Sequence, residues 1–269
     1  MAEAAMSMQV EGLYNFRDIA GMPLASGGTT RAGVLFRSEA LGTLTQVGVD
    51  DLAATDIGTI VDFRTPTERQ AAPDRVPTSR PFTVVDLPML EGAMADMTGR
   101  FVAGGPSTPP PSEIADAMAS LPTLGELYLE MLQHGAPQFA EVARLIAAST
   151  DDSPSAVLVH CTAGKDRTGV ATALMLDAAG VERAAVVADY AVSQHNLAGP
   201  WADGMLHSIA SFGLPVSPEL RTLVTGTPPE AIEQALSWTD DEHGGAAEYL
   251  LSGGLQPAEL DGLRARMAG

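Results

Sequence analysis

The chain has 269 residues, 34 acidic and 15 basic side chains, and a formal net charge of −19. That length buries a large core without staples, and 45% hydrophobic residues exclude wholesale disorder. A single cysteine, Cys161, excludes an internal disulfide framework and fits a reducing compartment.

The acidic balance argues against a surface for duplex nucleic acid or anionic membranes, because phosphates are repelled at long range. Met1 to Val10 carries Glu3 and no basic residue, unlike the charged entry region of a signal peptide. The longest apolar stretch, Val170 to Val181, is broken by Asp177 and falls short of the ~20 residues a span needs. The expectation is a soluble protein without integral membrane association, cytoplasmic or secreted by a route without a cleavable signal.

In chain order, Val34-Leu35-Phe36, 58–63 and 81–86 read as strands: short β-branched or aromatic runs bounded by Gly, Pro and polar residues. A helix is expected near 45–54. Residues 91–122, with Gly104, Gly105 and Pro109-Pro110-Pro111, read as an excursion, either a surface loop or a lid beside an active site. Thr123 with Glu126 is a capping-box start for a helix ending at Gly135. A second helix follows over 137–149, with Pro137 at its first position. Ala156-Val157-Leu158-Val159-His160 reads as a strand buried on both faces. Beyond Cys161 the chain reads as helical, with starts at Ser217-Pro218 and Thr227-Pro228. The fold expected is α/β: one domain over 1–269, a mostly parallel sheet flanked by helices, and a helical C-terminal part.

One segment concentrates chemistry: His160-Cys161-Thr162-Ala163-Gly164-Lys165-Asp166-Arg167-Thr168-Gly169. It leaves the buried strand and opens a helix, so its backbone N–H groups can curl into a nest for a tetrahedral dianion, helped by the helix N-terminus. Gly164 permits positive φ, and Arg167 can grip two phosphate oxygens with its planar fork. The same field favours the thiolate of Cys161, which can attack phosphorus and form a cysteinyl-phosphate that water hydrolyses. Thr168 can donate its hydroxyl to the sulfur, and His160 braces the loop from beneath. At ordinary residue usage, a Cys accompanied by this Arg, the preceding His, the Gly and the following Thr-Gly arises by chance on the order of 10⁻⁶. A nucleotide P-loop fails, because Val159 stands where its first Gly belongs and Asp166 where Ser or Thr must hold the metal.

Cys161 to Arg167 resembles the signature of cysteine-dependent phosphatases of the protein tyrosine phosphatase superfamily, and the longer string resembles a bacterial group within it. The resemblance covers nearly the whole chain. It includes Asn15-Phe16-Arg17-Asp18, Leu35-Phe36-Arg37-Ser38 and Val61-Asp62-Phe63-Arg64 with Glu68, then Val187-Ala188-Asp189-Tyr190 and the tail from Glu248 to Leu263. It implies a phosphatase-type fold, a metal-independent hydrolase without cofactor, and phosphotyrosine proteins or phosphoinositides as substrates.

For the general acid, no Trp-Pro-Asp loop precedes the signature, so three sources stay open: Asp166, where the group places an Asp, Asp86 at a strand end, or a group in 91–122. Thr162, Ala163, Gly164, Lys165 and Thr168 are expected to line the phosphate. Arg64 ends a strand and is expected on the substrate side, the plainer reading being a surface ion pair with Glu68. Lys165 is expected to hold a second anionic group or raise the local potential. His134, His195, His207 and His243 lack ligand spacing, so no metal site is implied. Against tyrosine phosphatase activity stand a lipid or dual-specificity phosphatase and, more distantly, a non-catalytic phosphate-binding module.

Overall fold

The computed structural model describes residues 9–89, 121–152, 154–211 and 215–269. Except for Leu121 and Pro122, the excursion expected at 91–122 lies outside the described residues.

Five strands form one sheet in the order β1-β2-β5-β3-β4. They are β1 (Arg17–Asp18), β2 (Leu35–Ser38), β3 (Ile57–Asp62), β4 (Thr83–Asp86) and β5 (Ala156–His160). Only β1 is antiparallel; the rest of the sheet is parallel. All five residues of β5 are buried, as its unbroken apolar run requires of a central strand. Its side chains alternate between two cores. Val157 and Val159 join a large core with the helices, while Leu158 joins Phe36, Ile60 and Leu52 on the opposite face.

Register places the chemistry. His160 is aligned with Ser38 on one side and Asp62 on the other, and Asp62 with Asp86. The segments leaving β2, β5, β3 and β4 therefore emerge side by side at the carboxyl edge, where open α/β sheets build their sites.

Helix α1 (Gln46–Ala53) is capped by Thr45, and α2 (Pro66–Ala71) by a capping box of Thr65 and Glu68. Then comes α3 (Leu124–Ala148), whose capping box is the expected Thr123 and Glu126 pair. Here the structure corrects the two-helix reading: α3 runs unbroken through Pro137. Proline removes one helical donor, but packing across that turn keeps the axis continuous. The Tyr249 hydroxyl donates to the Leu132 carbonyl at 2.6 Å. Gly253 approaches so closely that a Cβ there would lie 2.2 Å from the Ala136 oxygen.

Past β5 the chain is helical, as expected: α4 (Arg167–Ala178), α5 (Arg183–Asn196), α6 (Pro200–Ser211), α7 (Pro218–Thr225), α8 (Pro229–His243), α9 (Ala246–Ser252) and α10 (Pro257–Met267). Ser217 caps α7. Helix α8 starts later than Thr227-Pro228 suggested, because Thr227 is engaged elsewhere: its hydroxyl donates to Ala191 and its N–H to Gln194. Strands β2 and β4 also begin later than expected, at Leu35 and Thr83.

Thr123→Ala removes the side-chain half of the α3 capping box. It should cost about 1 kcal/mol, read as a fall of roughly 2–4 °C in the thermal midpoint.

Candidate active site

The loop from Cys161 to Asp166 joins β5 to α4, with Asp166 as the residue before the helix and Arg167 its first member. Its conformation follows from what holds its carbonyls. The Ala40 N–H donates to the Thr162 oxygen at 3.2 Å. Asn15 Nδ2 donates to the oxygens of Ala163 and Gly164 at 3.3 and 3.1 Å, and Arg37 Nη2 to Gly164 at 2.8 Å. A trans peptide sets its N–H opposite its C=O. Pulling these three carbonyls outward therefore turns the amides of Ala163, Gly164 and Lys165 towards the centre of the loop, forming the anion nest. Gly164 has φ +67°, and a Cβ on it would lie 2.2 Å from the Ser38 oxygen. Cys161 is buried at the mouth of β5, 1% exposed.

Asn15 and Arg37 are themselves braced. Asp189 of α5 accepts from Arg37 Nη1 at 2.6 Å and from Arg17 Nε at 2.7 Å. Arg17 Nη1 donates to Asn15 Oδ1 at 2.6 Å, and Glu39 Oε2 accepts the Asn15 N–H at 2.9 Å. Burial opposes the charge of Asp189, but Arg37 and Arg17 outweigh it and hold the carboxyl below its usual range. The residues quoted for resemblance in three separate blocks thus converge on one loop.

Arg167 faces the other side. Its two terminal nitrogens donate to Glu68 of α2 at 2.8 and 2.7 Å in a fork-to-fork pair, and Nη1 also reaches the Phe63 carbonyl at 3.2 Å. Glu68 further accepts from the Thr162 hydroxyl at 2.7 Å. Burial raises the Glu68 carboxyl, but the bonds and charge of Arg167 prevail and hold it at about 2.

The remaining expected residues separate. Lys165 is 1% exposed, and its ammonium donates to Asp166 Oδ1 at 2.7 Å and to the Leu223 carbonyl at 3.0 Å. Asp166 also accepts at Oδ1 from the Tyr128 hydroxyl at 2.7 Å. Thr168 is buried, its hydroxyl without a hydrogen bond among the described residues. Asp86 is half exposed and pairs with Arg69 at 2.6 Å.

Arg64 requires a correction. It is neither a crevice residue nor the surface partner of Glu68. It is buried, with Nε and Nη2 on Asp62, Nη2 also on Asp74 at 2.5 Å, and Nη1 on the Ala72 carbonyl. Asp62, two residues before it, accepts from its Nε and Nη2.

His160 lies in the same cluster, 3.4 Å from Asp74 and 3.9 Å from Asp62. Burial lowers its pKa, so it is neutral and braces the loop rather than acting as an acid. Asp62, Asp74 and His160 bring ligand-type atoms within 4.8 Å of one another, but both carboxylates already hold the Arg64 cation.

Glu68, Tyr128, Asn15, Arg17, Arg37 and Asp189 were not assigned roles from the sequence. Signals existed for two of them. Thr65-Pro66-Thr67-Glu68 is a capping-box pattern that fixes Glu68 at a helix start, and Arg37 is a charge in an otherwise buried strand.

A sequence profile described as "Tyrosine phosphatase family" matches residues 8–269. A tyrosine-protein phosphatase of Nostoc commune is 33% identical over 240 residues, 88% of this chain and 74% of that protein. The triple specificity protein phosphatase PtpB of Mycobacterium tuberculosis is 28% identical over 283 residues, 97% of this chain and 99% of that one. A putative tyrosine-protein phosphatase of Cupriavidus necator is 30% identical over 257 residues, covering 93% and 86%.

Two outcomes follow from this geometry. Gly164→Ala should lower turnover by about 10²-fold by displacing the nest, measured by kcat on an aryl phosphate. Glu68 has its folded pKa depressed from the ordinary 4.5 to about 2, so its stabilisation is full above 4.5 and lost as pH falls through 2. The stability difference between wild type and Glu68→Gln should therefore shrink as pH falls from 4.5 to 2. Denaturation curves that stay a constant distance apart would show that the carboxylate charge is not what Arg167 uses.

Proposed function

The chain belongs to the tyrosine phosphatase family, and from that membership we propose that it hydrolyses phosphotyrosine monoesters through Cys161. Residues 1–269 act as one phosphatase unit in this reading. The observation that carries it is the hold of Ala40, Asn15 and Arg37 on the Thr162, Ala163 and Gly164 carbonyls, from which we infer that the amides of the following residues face the inside of the loop.

In the first step the Cys161 thiolate forms an S–P bond while the P–O bond to the leaving group breaks. The leaving oxygen takes its proton from Asp166. The equatorial oxygens rest on the loop amides and on Arg167, donors fixed before the charge develops. In the second step water attacks phosphorus, its proton passes to the Asp166 carboxylate, and the S–P bond breaks to return the thiolate and release phosphate. Asp166 is preferred to Asp86 because it adjoins Arg167 at the start of α4, whereas Asp86 stands half exposed at the end of β4.

A lipid or dual-specificity phosphatase is the second reading, since the relative from Mycobacterium tuberculosis carries triple specificity in its name. Against a phosphoinositide preference stands Lys165, whose buried ammonium is committed to Asp166 and to the Leu223 carbonyl rather than presented to a second phosphate. Among the described residues no helix is long and apolar enough to cross a membrane.

Phosphate release from matched phosphotyrosine, phosphoserine, phosphothreonine and phosphoinositide substrates, with a metal chelator present, should rank phosphotyrosine first. Cys161→Ser should abolish turnover while retaining phosphate-ester binding. A Cys161→Ser enzyme with even a tenth of the wild-type rate would remove the covalent mechanism, and a higher kcat/KM on phosphoinositides would install the lipid reading.

A further inference from the structure

Asp166 is held from outside the loop by two tyrosines. Tyr128 of α3 donates its hydroxyl to Asp166 Oδ1 at 2.7 Å, and its oxygen lies 2.7 Å from the hydroxyl of Tyr190 of α5. The single Tyr128 proton goes to the carboxylate, so Tyr190 must donate to Tyr128, giving a chain directed at Asp166. Both rings are buried and meet edge to face, with centroids 5.9 Å apart. Burial, then the Asp166 charge, raises the Tyr128 pKa well above its ordinary value, and Tyr190 is raised too. Both phenols therefore stay protonated as donors.

The two carboxylate oxygens of Asp166 are consequently unlike. Oδ1 accepts from both Tyr128 and Lys165. The side chain makes no cap bond to its own helix, and among the described residues no bond engages Oδ2. An oxygen already taking two donors is the poor place for a further proton.

We infer that Tyr128, backed by Tyr190, is a positioning residue for the general acid: it fixes Asp166 through Oδ1 so that Oδ2 carries the proton to and from the reacting oxygens. This rests on the reading of Asp166 given above. The proton leaves Oδ2 for the departing oxygen as the P–O bond breaks, and Oδ2 recovers one from the attacking water. Tyr128 and Tyr190 keep theirs throughout.

The test is leaving-group dependence. Tyr128→Phe keeps the ring and removes only the donor. It should slow an alkyl phosphate about tenfold, since the alkoxide needs the proton, and leave nitrophenyl phosphate nearly unaffected in kcat. Tyr190→Phe should shift the same ratio in the same direction by less, and it supplies the readout if Tyr128→Phe does not fold. Combined with Asp166→Asn, Tyr128→Phe should add nothing, because the group it positions is gone. Equal slowing of both substrates, or a full additional loss on the Asp166→Asn background, would overturn the inference while leaving Asp166 as the acid. Absence of leaving-group dependence in Asp166→Asn alone would overturn the acid assignment itself, and the two failures are thereby distinct.

Discussion

The site depends on a guanidinium in a strand. Arg37 has no exposure to solvent, yet it sits in β2 where the pleat otherwise carries Leu35 and Phe36 into the two cores. Removing Arg17, Arg37 and Asp189 from water costs several kcal/mol per ion before any pairing. That cost is offset because Asp189 lies between the two guanidiniums, and further donors of Arg17 and Arg37 reach the carbonyls of Asn15, Asp189 and Gly164. What the arrangement returns is conformational. With Gly164 oxygen held by Arg37, the adjoining peptide planes cannot rotate independently, and the amides keep one orientation. A strand with a leucine at this position would pack well and leave the loop unanchored.

From the same helix turn comes a second hold, on Asp166. Asp189 and Tyr190 are neighbours in α5, about 100° apart around the axis. One side chain reaches the floor of the loop through Arg37, the other reaches Tyr128 and thence Asp166. Glu68 secures Arg167 from the opposite flank. Lys165 and Arg167 are each paired with a carboxylate, and Arg17 and Arg37 share Asp189. In a protein of charge −19, the positive side chains beside the loop are held in place by carboxylates rather than left free in solvent.

Much of this was legible before any coordinates, and the limits have physical causes. The central strand and its loop are local: an unbroken apolar run, a dense string of polar and small residues, then a helix. The anchors of the loop are not local. Asn15 and Gly164 are 149 positions apart, and no spacing rule links them; only resemblance put their blocks side by side. A generic strand-end rule carries no information on Asp62 and Asp74, which claim the donors of Arg64. Pro137 was read as a start because the local signal ignores Tyr249 and Gly253, which hold the helix together across it. Tyr128 occupies the buried face of an amphipathic helix, where an aromatic residue reads as core; its hydroxyl matters only once α4 and α5 are in place.

The separation of Arg17 from Asp189, 172 positions, has a consequence for the protein as it is made. A ribosome adding ~5–20 residues per second needs roughly 10–30 s to travel from one to the other. Over the last 22 of those positions, about 1–4 s at that rate, the chain contains Cys161 and Arg167 without Asp189. Cys161 is thus synthesised before the side chain that fixes its loop through Arg37 and Arg17. Only when α5 has emerged and docked can Asp189 take Arg37 and Arg17, so the shape of the loop waits on a helix that follows it in the chain.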